Sequence, residues 1–424
     1  MNNGIGSRRV RGPIFRVLPR TLAAAAFAVY FSTSVAFAEL PDHEHAALPV
    51  DESLSLASAL ESAFWNYPET LELSAREEQA NAWVNRGKSW LADRPSLTVR
   101  YRSDRWGPDN GLTEYEAGIQ LPLWNWGGRA AVQGLGDAMT HESGAAGQAL
   151  RWEVARLLRS TLWGIALAEN NHELAERALE TAARLATSVE RRFELGDVAM
   201  SDVLLAQSSQ LEAQTALIEA TAELLDAERT YRSATGLDTR PPFQAEILST
   251  SADVATDHPA LTFANTEVIR AEANLEVVRK TLNTGASLLV GPQRERPAFG
   301  GMYDDSIGVS ISVPFGGSSH RRTEISSAAR LVASARSNRD LQLRELTLAM
   351  HEAAHGLNVV RQNLAAATKR MDLAERHEAM SASAYEKGEI ELLDLLKVQA
   401  TSIAARRQLD RLMIEEKRQT AFYN

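Results

Sequence analysis

The chain has 424 residues, no cysteine and a formal net charge of −10 at pH 7. The length is enough for a large core or an elongated assembly. The lack of cysteine excludes disulfides, thiolate metal sites and a lipid-modified N-terminal cysteine, and the acidic balance argues against a nucleic-acid-binding protein.

Residues 1–38 have the pattern of a removable signal peptide. Five arginines and no acidic residue accompany an apolar run from Leu22 to Phe31, and Ala36-Phe37-Ala38 offers a small-x-small cleavage site. We therefore expect the mature chain to function outside the cytoplasm. Without the five arginines, its formal charge becomes about −15.

The strongest pattern in the mature chain is an internal duplication. Residues 193–207 reappear as residues 385–399 at a constant offset of 192. The matched positions include Gly196 with Gly388, Asp202 with Asp394, and Gln207 with Gln399. Each copy lies between two long helical patterns, so each is predicted to be the tip of a helical hairpin.

Before each hairpin the pattern changes from helix to strand. Helices are predicted over 54–66 and 68–91, broken at Tyr67-Pro68 because the residue before proline disfavours the helical region. The second copy has one helix, 260–282. Alternating apolar and polar residues then predict two strands within about 95–124 and two within about 286–315, the third being patterned only over 287–291.

One face of these strands is apolar and the other polar. Aromatic residues bracket the strands, and the lengths are near the roughly 9 to 11 residues of a tilted transmembrane strand. We expect the polar face to line a lumen, with Arg100, Glu116, Gln120, Ser310 and Ser312. A soluble sandwich hairpin would alternate in the same way, but it would not explain four strands among so much helix.

Helical patterning runs from 128 to 194 and from 317 to 386, and a helix of about 65 residues is on the order of 100 Å long. We divide the chain into a signal peptide (1–38), a first repeat (39–235, hairpin about 127–235), a linker (236–256) and a second repeat (257–424, hairpin about 317–424). The fold class is mainly α with a small membrane β-barrel part. Four strands cannot close a barrel in lipid, so several chains must join around a shared hole.

Each copy of the duplicated unit consists of a helix, a strand, a polar loop, a second strand, a long helix, a tip with the pattern Phe/Tyr-x-x-Gly-x-x-x-x-x-Asp, and another long helix. This unit resembles the TolC-like outer-membrane efflux channel family. Residues 291–301 and Pro314-Phe315-Gly316-Gly317 are most similar to its heavy-metal efflux branch. The resemblance implies a homotrimer in outer-membrane lipid, with a periplasmic helical extension. It also implies a periplasmic adaptor (membrane fusion) protein, a proton-driven inner-membrane pump of the resistance-nodulation-division type, no cofactor and no enzymatic activity.

The resemblance assigns roles to the hairpin tips. Gly196, Asp197, Gly388 and Glu389 would contact the adaptor. Asp394 matches an acidic gate position, but Lys397 stands where relatives often carry a second acid, so an Asp394–Lys397 pair is expected to hold the closed state. Asp202 is a third gate candidate, while Asp202 and Asp197 would serve equally well as helix caps.

Three other interpretations remain open from the sequence. His351-Glu352-x-x-His355 has the spacing of a zinc metallopeptidase motif, with Glu375 or Glu378 as a third ligand, although surface histidines on a barrel helix explain it more simply. His43 and His45 could capture a metal ion, but a solvated, disordered arm is the preferred interpretation. A soluble periplasmic coiled-coil adaptor would share the hairpins, and a type I protein-secretion or drug-efflux channel would share the whole fold.

Overall fold

The computed structural model describes residues 47–251, 253–281, 285–315 and 318–424. The signal peptide, His43, His45 and the Gly316-Gly317 pair therefore lie outside the described residues. In chain order the elements are α1 (Leu56–Asn66), α2 (Thr70–Lys88), β1 (Ser96–Ser103), β2 (Thr113–Pro122), α3 (Gly128–Glu194), α4 (Met200–Thr235), α5 (Pro259–Thr281), β3 (Ser287–Arg296), β4 (Asp304–Ser312), α6 (Ser318–Glu386) and α7 (Leu392–Tyr423). No helix among them is long and apolar enough to cross a membrane.

Helix α1 begins and ends where local chemistry dictates. The Ser55 hydroxyl accepts a hydrogen bond from the Ser58 N–H at 3.1 Å, which satisfies one of the free donors of the first turn. Tyr67 is extended because Pro68 follows it. The break is as predicted, but α2 begins at Thr70, since the Thr70 N–H donates to the Tyr67 carbonyl in a turn.

The four strands form one antiparallel sheet in the order β1-β2-β3-β4. Strand β3 extends five residues beyond the predicted end at Gly291, reaching Arg296. A Cβ at Gly291 would lie 1.9 Å from the Ala117 carbonyl oxygen, so glycine is required where β2 and β3 approach. Strand β4 ends at Ser312, so Val313 and Phe315 follow the strand instead of belonging to it.

Two antiparallel helical hairpins, α3–α4 and α6–α7, account for most of the chain. Helix α3 covers the range predicted for it, and its 67 residues correspond to about 100 Å. Helices α1, α2, α4 and α5 all contact α3, and α5 also contacts α6. The core therefore follows α3, where Val132, Val154 and Ile165 are fully buried.

A buried carboxylate joins the two repeats beside α3. Glu142 contacts Arg76 of α2 at 3.3 Å and Arg270 of α5 at 2.6 Å. Burial raises the pKa of Glu142, and Arg270 and Arg76 oppose that rise. These ion pairs fix the lateral position of α2 and α5 on α3.

The segment between the repeats packs against the helices. The Tyr231 hydroxyl donates to the Thr239 carbonyl at 3.1 Å, and Arg159 binds both carboxylate oxygens of Glu246 at 2.7 and 3.2 Å. Although burial opposes ionisation of Glu246, the hydrogen bonds from Arg159 and Asn424 lower its pKa. The predicted linker is thus held to α3 and to the C-terminal residue.

Candidate functional site

Both hairpin tips end their first helix in the same backbone turn. In the first tip, the Gly196 N–H donates to the Phe193 carbonyl and the Asp197 N–H to the Arg192 carbonyl, both at 2.9 Å. In the second, the Gly388 N–H donates to the Tyr385 carbonyl and the Glu389 N–H to the Ala384 carbonyl, at 3.0 and 2.9 Å. This is the Schellman pattern, which requires a left-handed residue. Accordingly, φ is 83° at Gly196 and 75° at Gly388.

The expectation that Asp197 or Asp202 caps helix α4 is wrong. The residue preceding α4 is Ala199, and the equivalent residue before α7 is Glu391, whose side chain makes no capping bond. Asp197 is used by the turn through its backbone N–H. Asp202 and Asp394 lie in the first turns of α4 and α7, where the helix dipole favours an acid.

The two tips differ in the partner of this first-turn acid. Lys397 Nζ lies 3.2 Å from Asp394 Oδ1, and both side chains are more than half exposed. The residue at the corresponding position of the first copy is Leu205. The second tip therefore carries an accessible ion pair where the first carries an acid and an apolar residue.

A hydrophobic cluster binds the two tips together. It contains Ala186, Val189, Val203, Ala206, Tyr385, Leu392 and Leu395, drawn from α3, α4, α6 and α7. The Arg192 guanidinium lies 5.0 Å from the centre of the Tyr385 ring. This role of Tyr385 was not predicted, although the aromatic residue that opens each copy of the tip motif was a signal.

The polar face of the sheet carries cross-strand pairs. Arg100 contacts Glu116 at 3.0 Å, and Arg102 contacts Glu114 at 3.7 Å. The Gln120 amide donates to the Ser287 hydroxyl at 3.1 Å. The register puts all five predicted lumen residues on this one face, because Arg100 pairs with Glu116 and the serines of β4 pair with Ser287 and Leu289 of β3.

The opposite face is apolar and exposed. Leu97, Val99 and Ile307 are 74%, 71% and 78% exposed. A soluble sandwich would bury these side chains, so that interpretation is wrong for the described part of the chain. Near the helical end of the sheet, Trp126 and Phe315 are almost completely exposed.

The His351-Glu352-x-x-His355 motif lies exposed on α6. Glu375 and Glu378 are 20 or more residues further along the same continuous helix, about 30 Å away, so neither can be a third ligand. Glu375 is instead paired with Arg406. Within the described residues no group of three or more His, Cys, Asp or Glu side chains is placed to hold a metal ion.

Comparisons with known proteins agree with this arrangement. Residues 59–237 match the model of the outer membrane efflux protein family. No curated protein sequence matches the chain.

Solved outer-membrane proteins share the fold over nearly the whole chain. The CmeC outer membrane channel of Campylobacter jejuni matches with a TM-score of 0.69 at 15% identity, covering 91% of this chain and 90% of CmeC. CusC matches with a TM-score of 0.68 at 14% identity, covering 90% and 97%. The outer membrane protein VceC of Vibrio cholerae matches with a TM-score of 0.68 at 14% identity, covering 87% and 94%.

The family matched by residues 59–237 consists of outer membrane efflux proteins, not enzymes. The fold shared with the solved outer-membrane channels includes the second repeat as well as the first. The chain thus matches the outer membrane efflux protein family over residues 59–237, and it has the fold of the solved outer-membrane channels over most of its length.

Proposed function

We propose that three copies of this chain form the passive exit duct of a tripartite efflux system, with heavy-metal cations as cargo. A periplasmic adaptor and a proton-driven inner-membrane pump would deliver the cargo. This chain would supply a sealed path, a polar lining and a gate. All the energy would enter at the pump.

The open sheet carries the proposal. Among the described strands, β1 and β4 each pair on one side only, and the apolar face is exposed. Unpaired backbone groups in hydrocarbon cost several kcal/mol each. Joining β4 of one copy to β1 of the next would remove both edges, and three copies would give twelve strands.

Exposed apolar side chains on the helices also support assembly. Leu204, Leu211 and Ile218 recur every seven residues on α4, and each is about 60% exposed. A seven-residue apolar row is typical of a helix that packs against a neighbouring helix. The same assembly that closes the sheet would cover this row.

The acidic lining supports a cation as cargo. The polar face of the sheet has two arginines, Arg100 and Arg102, and four acids, Glu114, Glu116, Glu295 and Asp304. A polar path with excess negative charge favours cations over anions. A drug-efflux pump or a type I protein-secretion system would use the same fold. Crosslinking followed by identification of the co-purified pump distinguishes metal efflux, drug efflux and protein secretion.

Fractionation and detergent dependence test the assembly. The protein should remain in the outer-membrane fraction, require detergent for solubility and migrate as a trimer on native gels. A monomer that stays soluble in aqueous buffer would refute the proposed duct and would favour the soluble adaptor.

Single-channel conductance in planar bilayers tests the gate. Replacing the exposed pair by Asp394→Asn/Lys397→Gln should raise conductance, because the pair would no longer hold the closed tip. The matched control is Asp372→Asn/Arg376→Gln, an exposed i, i+4 pair on α6 well away from the tip. Equal conductance in wild type and tip variant would remove Asp394 and Lys397 from the gate.

A further inference from the structure

Two arginines lie on the apolar face of the sheet, at the end where the loops are. Arg294 pairs with Tyr115 of β2 and with Asp305 of β4, so its side chain leaves the sheet on the Tyr115 side. Arg296 is two residues further along β3 and shares that side. Most of the other side chains on this face are apolar: Leu97, Val99, Ile119, Leu288, Val290, Ile307, Val309 and Ile311.

Both arginines are held against one aromatic ring. The guanidinium groups of Arg294 and Arg296 lie 5.7 and 5.3 Å from the centre of the Tyr303 ring. Arg294 also binds both carboxylate oxygens of Asp305, at 2.6 and 2.7 Å. Cation–π contact and a bidentate ion pair restrict these long side chains to one region of the surface.

The positive charge of Arg296 is available to a ligand. Its hydrogen bonds go to neutral oxygens, the Gly111 carbonyl and the Thr113 hydroxyl, both at 3.4 Å. With Asp305 offset by Arg294, the cluster carries one net positive charge. The opposite face of the sheet has an excess of acids, so an anion is attracted to the apolar face alone.

We propose that Arg296, together with Arg294 and Tyr303, binds the phosphate of an anionic membrane-lipid headgroup. The inference rests on the proposed function, which puts the apolar face against lipid. Strands of 8 to 10 residues rise about 30 Å, so the loop end reaches the level of the headgroups when the helical end lies at the other surface. Guanidinium groups match phosphate oxygens geometrically, and tyrosine is enriched at this level of a membrane.

Native mass spectrometry of the detergent-solubilised assembly tests the site. The probe is phosphatidylglycerol, compared with phosphatidylcholine of the same acyl chains and with free glycerol phosphate. The change is Arg294→Gln/Arg296→Gln. The matched control is Arg100→Gln/Arg102→Gln on β1, which removes the same charge from the other face of the same sheet.

The Arg294→Gln/Arg296→Gln variant should bind phosphatidylglycerol about tenfold more weakly than the wild type, as expected for lost charge-assisted hydrogen bonds. The control variant should bind phosphatidylglycerol like the wild type, and both variants should bind phosphatidylcholine like the wild type. Equal weakening by both pairs, no weakening, or equally tight binding of free glycerol phosphate would overturn the proposal. If the double variant does not assemble, Arg296→Gln tests the same point with the Arg294–Asp305 pair intact.

Conductance of the same preparations separates this inference from the proposed function. An Arg294→Gln/Arg296→Gln variant that conducts normally and binds phosphatidylglycerol like the wild type would refute the lipid site alone. A wild-type protein that neither needs detergent nor conducts would refute the duct itself.

Discussion

The long helices α3 and α6 occupy equivalent places in the two repeats but have different surroundings. Helix α3 is contacted by α1, α2, α4, α5 and α7, whereas α6 is contacted mainly by α5 and α7. Large apolar side chains are consequently exposed on α6: Leu331, Leu341, Leu343, Leu348 and Leu373. The duplication repeats the local structure, but the environment of each copy depends on what packs around it.

The tips show the same contrast at the level of one side chain. Tyr385 is 8% exposed and lies in the cluster that joins the hairpins, while Phe193, its counterpart 192 residues earlier, is 40% exposed. Their backbone turns are nevertheless the same. Local sequence therefore sets the turn, and the neighbouring hairpin sets the burial.

The largest expected effect is at this aromatic pair. Tyr385→Ala should lower the free energy of unfolding by about 3–5 kcal/mol, since it empties a buried site, and Phe193→Ala should cost about 1 kcal/mol. Urea unfolding of the purified protein in detergent measures both. Equal losses would mean that the two tips are equivalent, contrary to the packing.

An intermediate effect is expected on α6. Leu341→Gln/Leu348→Gln changes two half-exposed side chains seven residues apart. It should promote dissociation of the assembly, because burying the exposed half of each leucine is worth about 1 kcal/mol. Sedimentation in detergent reports the oligomer. The control is Asp340→Gln/Thr347→Gln, two exposed residues with the same spacing on another side of the helix. Equal dissociation of the two variants would argue against a contact made by the leucines.

The smallest effect is expected at the tip glycines, where the repeats should behave alike. Gly196→Ala and Gly388→Ala should each lower the free energy of unfolding by about 1–2 kcal/mol, because alanine disfavours the left-handed conformation. No steric clash adds to this cost, since a Cβ would meet no atom within 4 Å at either site. Asparagine tolerates this conformation better, so Gly196→Asn and Gly388→Asn should cost less. Thermal unfolding midpoints measure all four, and a large difference between the two alanine variants would show that tertiary contacts also constrain one turn.

Periodicity predicted the elements that depend on local residues. The helix break at Tyr67-Pro68, the extent of α3 and the tip glycines follow from proline geometry, apolar spacing and backbone freedom. The extension of β3 was not predicted, because Pro292 and three charged residues interrupt the alternation. Pairing with β2 and β4 keeps that segment extended, and pairing is a property of the sheet.

The candidate site divides in the same way. The Asp394–Lys397 contact follows from i, i+3 spacing on one helix, and it is present. The Asp197 and Asp202 caps were predicted from residue type, but the residue that precedes α4 is Ala199, two residues after Asp197, and Asp202 already lies inside the first turn. The burial of Tyr385 required packing between the two hairpins, and the Arg294–Tyr303–Arg296 cluster required the pairing of β3 with β4.

The sequence by itself determined the duplicated plan, the long helices, the left-handed tip glycines and the two-faced strands, because each follows from the conformational preferences and spacing of neighbouring residues. The tertiary structure alone decided which tip aromatic is buried, how far β3 extends, and which arginines share a face with the apolar side chains. These features arise from packing and strand pairing between residues far apart in the chain, and such pairings leave no periodic trace in either partner.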